Sequence, residues 1–298
     1  MPDRNWALIL HGGAKTIGPD SQPANREGCL AAAQVGRAIL EQGGSAVEAV
    51  EAVIRVLEDD AIFNAGFGSV LNDEGEVEMC SSIMEGARLN VGGVAAIQGV
   101  RHPISVARAM LNENWTLIAG EGGRRFAEQQ GLELCPPEAM IAREQQASEA
   151  AMAHDTVGAV ALDMDGLLCA GTSTGGLAGQ VKGRVGDSPL PGCGLYAENG
   201  IGAVAFSGEG ERITRAMLAA KAMQALEQGS PAAAAAGAAI ERLHRVGGEA
   251  GIILLDRHGR IGIAHNSDHF ALAVVTSGME EPRAGIHRRE LEELIDHG

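Results

Sequence analysis

Aromatic side chains are scarce, with Phe, Tyr and Trp making up only 3% of the 298 residues. Val, Ile, Leu, Ala and Met must therefore fill the core, and at 45% hydrophobic and 21% charged the chain has the composition of a soluble globular protein. Cysteines are few and odd in number: Cys29, Cys80, Cys135, Cys169 and Cys193 show no CxxC pair. That argues against a disulfide framework and for a reducing compartment, the cytoplasm. Positive charge is also short, 23 Lys and Arg against 39 Asp and Glu, for a net charge of −16. A phosphate backbone or an anionic membrane would be repelled over most of the surface, which excludes nucleic acid and membrane as partners. No apolar run approaches the roughly 20 residues that span a bilayer. The short run Trp6 to Leu10 meets a Gly pair without a small-residue cleavage site, so it reads as a strand and not as an export signal.

The length fits one large domain or two modest ones. After the strand at Trp6 to Leu10, one helix is expected from about Asn25 to Gln42. A second is expected from the N-cap Ser45 to about Glu58, with Glu48 completing a capping box and Val47, Val50, Ile54 and Leu57 on one face. The loop DDAIFNAGFGSVLNDEG leads to strands at Val77 to Met84 and Leu89 to Gln98, and Pro103 starts another helix. From about Pro136 to His154 the chain reads as helix fading into a mobile linker, the internal boundary. Beyond it, TVGAVALD at Thr156 to Asp163 turns at Asp165 and Gly166 and returns through Leu167 to Gly171 as a hairpin. A strand at Ile201 to Ser207, helices at Glu211 to Gln228 and Pro231 to Arg245, and strands at Gly251 to Leu255, Arg260 to Ala264 and Ala271 to Thr276 complete the chain. Strand-rich stretches flanking paired helices predict two sheets packed face to face with helices outside. No internal repeat is present.

Taken alone, Thr156 is a β-branched residue at a strand start, Arg184 and Asp187 form a surface ion pair, and Asn64 is a turn residue. The surrounding segments change that reading. HGGA at His11 to Ala14, FNAGFGS at Phe63 to Ser69, HDTVGAVALD, GTSTGG, GRVGDSPLPG and the SGEGE turn at Ser207 to Glu211 occur in one order along the whole chain. Together they resemble the plant-type asparaginase family of isoaspartyl peptidases, which belong with glycosylasparaginase among the N-terminal nucleophile hydrolases.

The resemblance implies an α/β fold, a four-layer αββα sandwich, formed by residues 1–298 as a single domain. It also implies self-cleavage between Asp155 and Thr156 into fragments 1–155 and 156–298, paired as an (αβ)2 heterotetramer. A threonine hydroxyl is a weak nucleophile and needs a base. A free α-amine on the same residue, with a reference pKa of about 7.7 to 8.0, can supply it once the bond to Asp155 is cut.

The resemblance assigns further roles on the same terms. Thr174 hydrogen-bonds the nucleophile and its amine, Ser207 and the Gly208 N–H form an oxyanion hole, and Asn64 lies beside the nucleophile. Arg184 takes the substrate α-carboxylate and Asp187 its α-ammonium, with Gly208 and Gly210 shaping the substrate site. The loop carrying Leu57, Glu58, Asp60, Phe63, Ala65 and Phe67 would hold a structural sodium ion, largely through carbonyls. No cofactor is expected for catalysis.

The implied substrates are L-asparagine and β-aspartyl dipeptides, small molecules that would release L-aspartate. Departures from the family pattern are Lys15 and Asp155 where glycines are usual, Cys80 for aspartate, Ser207 for threonine, and Glu209 for a smaller polar residue. His154, Asp155 and Thr156 keep glycosylasparaginase open as an alternative. Ser207 and Glu209 keep open a catalytically silent aspartate-binding protein.

Overall fold

The computed structural model describes residues 5–142 and 155–296. It is a mixed α/β structure with two sheets. The first segment runs β1 (Ala7–Lys15), α1 (Gln22–Glu41), α2 (Ala46–Asp59), β2 (Met79–Glu85), β3 (Val91–Ile97), α3 (Pro103–Ala109), β4 (Leu117–Ala119) and α4 (Gly120–Gln129). The second runs β5 (Val157–Leu162), β6 (Leu168–Thr174), β7 (Leu195–Glu198), β8 (Gly202–Gly208), α5 (Gly210–Ala216), α6 (Leu218–Glu227), α7 (Ala232–Arg242), β9 (Ala250–Asp256), β10 (Ile261–His265), β11 (His269–Thr276) and β12 (Arg283–Gly285).

The larger sheet has the order β12-β11-β1-β5-β6-β2-β3-β4 and the smaller β10-β9-β8-β7. Alternation along the strands decides what each face covers. On β1, Leu8 and Leu10 join Val50, Ile54 and Leu57 of α2 in one cluster, whereas Ala7 and Ile9 join Ala205, Ile253 and Ile263 of the small sheet in another. Val204, Phe206, Ile252 and Leu254 point from the small sheet to α6 and α7. A fourth cluster packs α3 and α4 on the β2–β3 end of the large sheet.

Local chemistry explains the helices that frame the site. The Ser45 hydroxyl accepts from the Glu48 N–H at 3.3 Å, and the Glu48 carboxylate accepts from the Ser45 N–H at 2.9 Å, so the expected capping box forms. Asp163, just beyond β5, accepts from the Ala46 N–H at 2.9 Å and ties the start of α2 to that strand. Val50 and Ile54 then lie over Gly171 of β6, where an added Cβ would come within 2.7 and 2.9 Å of them. The missing side chain lets α2 sit close against the strand that ends at Thr174.

Several expectations are revised. β1 runs through His11, Gly12 and Gly13 to Lys15, because an irregularity between His11 and Gly13 keeps it paired with β11. The helix expected over Glu211 to Gln228 is two, broken at Met217, whose φ is 50°. Pro137–Met140 is a 3₁₀ turn, and the rest of the expected linker, 143–154, lies outside the described residues. β4, α4, β7 and β12 were not expected; β4, β7 and β12 are three or four residues each and too short for a periodic signal. Among the described residues no helix is long and apolar enough to cross a membrane.

If α2 does seat on Gly171, Gly171→Ala should destabilise the fold by about 1–3 kcal/mol through overpacking. Equilibrium denaturation of the variant beside the parent measures this. An unchanged midpoint would mean the contact is loose.

Candidate active site

The site forms where β5 begins and β6 ends. Val157 pairs with Ser173, so the antiparallel register brings Thr156 level with Thr174. Asp155, Thr156 and Thr174 are all buried. The Thr174 hydroxyl donates to the Asp155 carbonyl oxygen at 2.8 Å and accepts from the Gly176 N–H at 3.1 Å. Asn64, from the loop after α2, donates through Nδ2 to the same Asp155 oxygen at 3.3 Å and to the Gly176 carbonyl at 2.7 Å. Its Oδ1 accepts from the Val70 N–H at 3.0 Å, which fixes the amide's orientation. The carbonyl of the Asp155–Thr156 bond thus faces two donors from different parts of the chain.

The Thr156 hydroxyl lies 3.3 Å from that of Ser188. Ser188 was missed in the sequence, although it sits inside the GRVGDSPLPG segment. Its carbonyl accepts from the Thr172 hydroxyl at 2.7 Å, which anchors the segment to β6. Beneath Thr156, the His11 ring covers Gly158, where a Cβ would come within 2.4 Å of its Nε2. Burial pushes the pKa of His11 down to about 3, opposed in part by the Thr156 main chain, so the imidazole is neutral.

A small open cleft adjoins these residues, and its lining includes Thr156, Thr174, Arg184, Asp187, Gly208 and Gly210. Both proposed ligand-binding charges therefore lie in one cleft with Thr156. Gly210 leaves both side chains room, since a Cβ would lie 2.8 Å from Asp187 Oδ1 and 3.0 Å from Arg184 Nη2. The ion-pair partner of the Arg184 guanidinium is Glu211, at 2.7 and 2.8 Å, and not Asp187, and its Nη1 also donates to Gln180 Oε1 at 3.4 Å. Asp187 is buried and its Oδ2 has no hydrogen-bond partner. Burial raises its pKa to about 7, against the opposing pull of backbone N–H groups and Arg184.

Other candidates fall nearby but outside the lining. The Ser207 hydroxyl accepts from the Ala14 N–H at 3.0 Å and so joins β8 to β1 across the two sheets. The Glu209 carboxylate accepts from the Glu249 N–H at 3.0 Å and pairs with Arg212 at 3.5 Å, turning to its own helix start. Cys80 is buried, its Sγ accepting from the Ala96 N–H at 3.4 Å.

In the loop proposed for sodium, carbonyls crowd two glycines. A Cβ on Gly66 would meet the Glu58 oxygen at 2.3 Å, and one on Gly68 would meet those of Phe63 and Ala61 at 1.9 and 3.0 Å. The fully buried Glu58 carboxylate accepts from Ser173 Oγ at 2.6 Å and from the Ile104 N–H at 3.1 Å, leaving its main chain to face the loop. No group of three or more His, Cys, Asp and Glu side chains suited to a metal occurs among the described residues.

This arrangement coincides with a match to known proteins. A family model described as asparaginase matches residues 4–149 and 140–282, nearly the whole chain. The chain belongs to the asparaginase family. It is 40% identical over 290 residues to a Bos taurus protein named isoaspartyl peptidase/L-asparaginase, covering 92% of this chain and 94% of that one. A Pyrococcus horikoshii protein named plant-type L-asparaginase is 40% identical over 306 residues, covering 94% and 99%. The Homo sapiens isoaspartyl peptidase/L-asparaginase is 40% identical over 271 residues, covering 86% and 88%.

The raised pKa of Asp187 has a stability consequence. The unfolded carboxyl ionises near about 3.9, while the folded one keeps its proton to about 7. The unfolded chain therefore binds fewer protons in that window, and stability falls as pH rises through it. Asp187→Asn should be more stable than the parent at pH 8, by something on the order of a few kcal/mol. The gain should shrink as the pH nears 4. Thermal denaturation at the two pH values measures it, and a gain of equal size at both would remove the ionised carboxylate as its cause.

Proposed function

We propose that the chain is an autoprocessing threonine amidohydrolase. It severs its own Asp155–Thr156 bond and then hydrolyses the side-chain amides of L-asparagine and β-aspartyl dipeptides, releasing L-aspartate. The observation that carries this reading is the Asp155 carbonyl, hydrogen-bonded by Thr174 and Asn64, at the peptide bond that precedes Thr156 on the edge of the Arg184 and Asp187 cleft. The names of the relatives support the same substrates.

Self-cleavage begins when the Thr156 hydroxyl attacks the Asp155 carbonyl carbon. As the oxygen takes up negative charge, the Thr174 hydroxyl and the Asn64 amide can hold it. The C–N bond breaks, the nitrogen gains the proton that the hydroxyl lost, and an ester joins Asp155 to Thr156. Water then opens the ester, leaving a carboxyl group on Asp155 and returning the Thr156 hydroxyl beside a free α-amine. That amine is the base for turnover.

The Arg184 guanidinium then binds the substrate α-carboxylate, in competition with Glu211, and Asp187 takes the α-ammonium. Thr156 attacks the side-chain amide, ammonia or an amine departs with a proton, and water releases aspartate from the ester. Ser207 and the Gly208 N–H are assigned to the oxyanion of this second reaction. A mature Thr156 amine brings Thr174 from the Asp155 carbonyl to the nucleophile.

The packing clusters support a four-layer αββα sandwich, in which the large sheet and its helices pack on the small sheet and α6 and α7. It would be one domain of two fragments, Met1 to Asp155 and Thr156 to Gly298, associating as (αβ)2. The carbonyls of Leu57, Glu58, Asp60, Phe63, Ala65 and Phe67 would hold a sodium ion, and the crowding at Gly66 and Gly68 supports that loop. The ion would stiffen the loop that carries Asn64. All five cysteines are free, which supports a reducing cytoplasm.

Mass spectrometry tests the first step. The purified protein should consist of two fragments divided before Thr156, while Thr156→Ala stays whole. An intact parent chain that hydrolyses β-aspartyl dipeptides would overturn the mechanism. For turnover, Arg184→Leu should lower kcat/KM on such dipeptides by about 1.5 to 3 kcal/mol while cleavage continues. Unchanged kinetics would remove Arg184 from the site. Comparing N4-glycosylated asparagine with β-aspartyl dipeptides separates this reading from the glycosylasparaginase that Asp155 favours.

A further inference from the structure

Two residues 140 positions apart meet at the cleavage site, and the mechanism above uses the side chain of neither. Lys15 ends β1, and its Nζ pairs with Asp155 Oδ2. The pair is withdrawn from water, with side-chain exposures of 14% and 2%. Asp155 Oδ1 has no hydrogen-bond partner and fills the space that a Cβ on Gly13 would need, 1.2 Å from its ideal position. Gly13 has a φ of 113°, inside the irregularity of β1, so the strand bends to admit the carboxylate and then delivers the lysine. Burial pushes the Asp155 carboxyl up, and Lys15 is the foremost influence pulling it down. The Cys29 thiol of α1 lies close enough to feel the charges of Asp155, Lys15 and Asp60.

Asp155 is also the residue whose carbonyl Thr174 and Asn64 hold. Its side chain and its carbonyl are therefore gripped separately, by β1 on one side and by β6 and the Asn64 loop on the other. Two anchor points on one residue fix the plane of the peptide that follows and the face it turns to the Thr156 hydroxyl. Misplacing reacting atoms by about 1 Å can cost about 10²-fold in rate.

We propose that Lys15 is a positioning residue for self-cleavage. Its ammonium anchors the Asp155 side chain and so holds the scissile carbonyl against Thr174 and Asn64 while Thr156 attacks. Lys15 exchanges no bond in the step; the acyl shift and hydrolysis balance as written above. The inference rests on the autocleavage reading, and it pairs Lys15 and Asp155, two departures from the family pattern, as one device.

The test follows the cut in pulse-labelled chains made by cell-free synthesis, comparing the parent with Lys15→Met, Lys15→Arg, Asp155→Asn and the double variant Lys15→Met/Asp155→Asn. Lys15→Met should slow the appearance of fragments by about 10- to 100-fold. Lys15→Arg, which keeps the cation, should recover much of the loss. The double variant should cut no more slowly than Asp155→Asn alone, because without the carboxylate the lysine has nothing to hold. Melting of the same variants in a Thr156→Ala background shows whether each one folds. If Lys15→Met fails to fold, the comparison of Asp155→Asn with the double variant still decides. Cutting by Lys15→Met at the parent rate, or a double variant whose loss is the product of the two single losses, overturns the role of Lys15 and leaves autocleavage standing. A parent chain that never cuts overturns both.

Discussion

A single carbonyl oxygen sets the demands on this fold. For the oxygen of Asp155 to meet both Thr174 at 2.8 Å and Asn64 at 3.3 Å, the β5–β6 hairpin and a loop 91 residues upstream must converge. β6 must pair with β5 in the register that places Thr174 level with Thr156. α2 must lie close enough on Gly171 to carry the Asn64 loop over the end of β6. The loop must then turn tightly at Gly66 and Gly68, where carbonyls leave no room for side chains. The last two requirements appear in the sequence as small residues, and Thr156 adds only a hydroxyl to a site already shaped.

That site is costly to maintain, because it buries carboxyl groups. Asp155, Asp187 and Glu58 are each lifted above the usual carboxylate range by loss of water. Their compensations differ. Glu58 is held by Ser173, Ile104 and His102, whose Nδ1 lies 3.2 Å from Oε2, and it braces the strand one residue before Thr174. Asp187 keeps an unpartnered oxygen at the cleft. A carboxylate left partly unsatisfied suits a site that awaits a cation, since a ligand ammonium would supply the missing partner.

What was legible in the sequence follows physical lines. Self-contained signals were plain: the Ser45–Glu48 box, the Pro103 start and the hairpin turning at Asp165 and Gly166 all depend on residues within a few positions of each other. The cleft was legible because Arg184, Asp187, Gly208 and Gly210 lie in dense, distinctive segments, and the structure brings them to Thr156. Lost were elements whose reasons lie elsewhere in the chain. β7 is four residues long and exists through pairing with β8. The extension of β1 through two glycines depends on β11. The break at Met217 sits between two helix-compatible stretches, and nothing in their composition marks it. Ser188 drew no attention as a lone serine after Asp187, and only folding sets it beside the Thr156 hydroxyl.

Lys15 and Asp155 show the same limit from the other side. In the sequence they are separate oddities, a lysine and an aspartate where glycine is usual, and each alone is unfavourable. An unpaired ammonium or carboxylate at this depth would carry a desolvation penalty of several kcal/mol. Breaking such a pair by losing one member costs about 3–5 kcal/mol, whereas removing both members together can be neutral. Neither residue is then easily held without the other, and the space left by Gly13 is what admits the second of them. Two residues 140 positions apart therefore act as one unit, an ion pair beside the carbonyl that Thr174 and Asn64 hold.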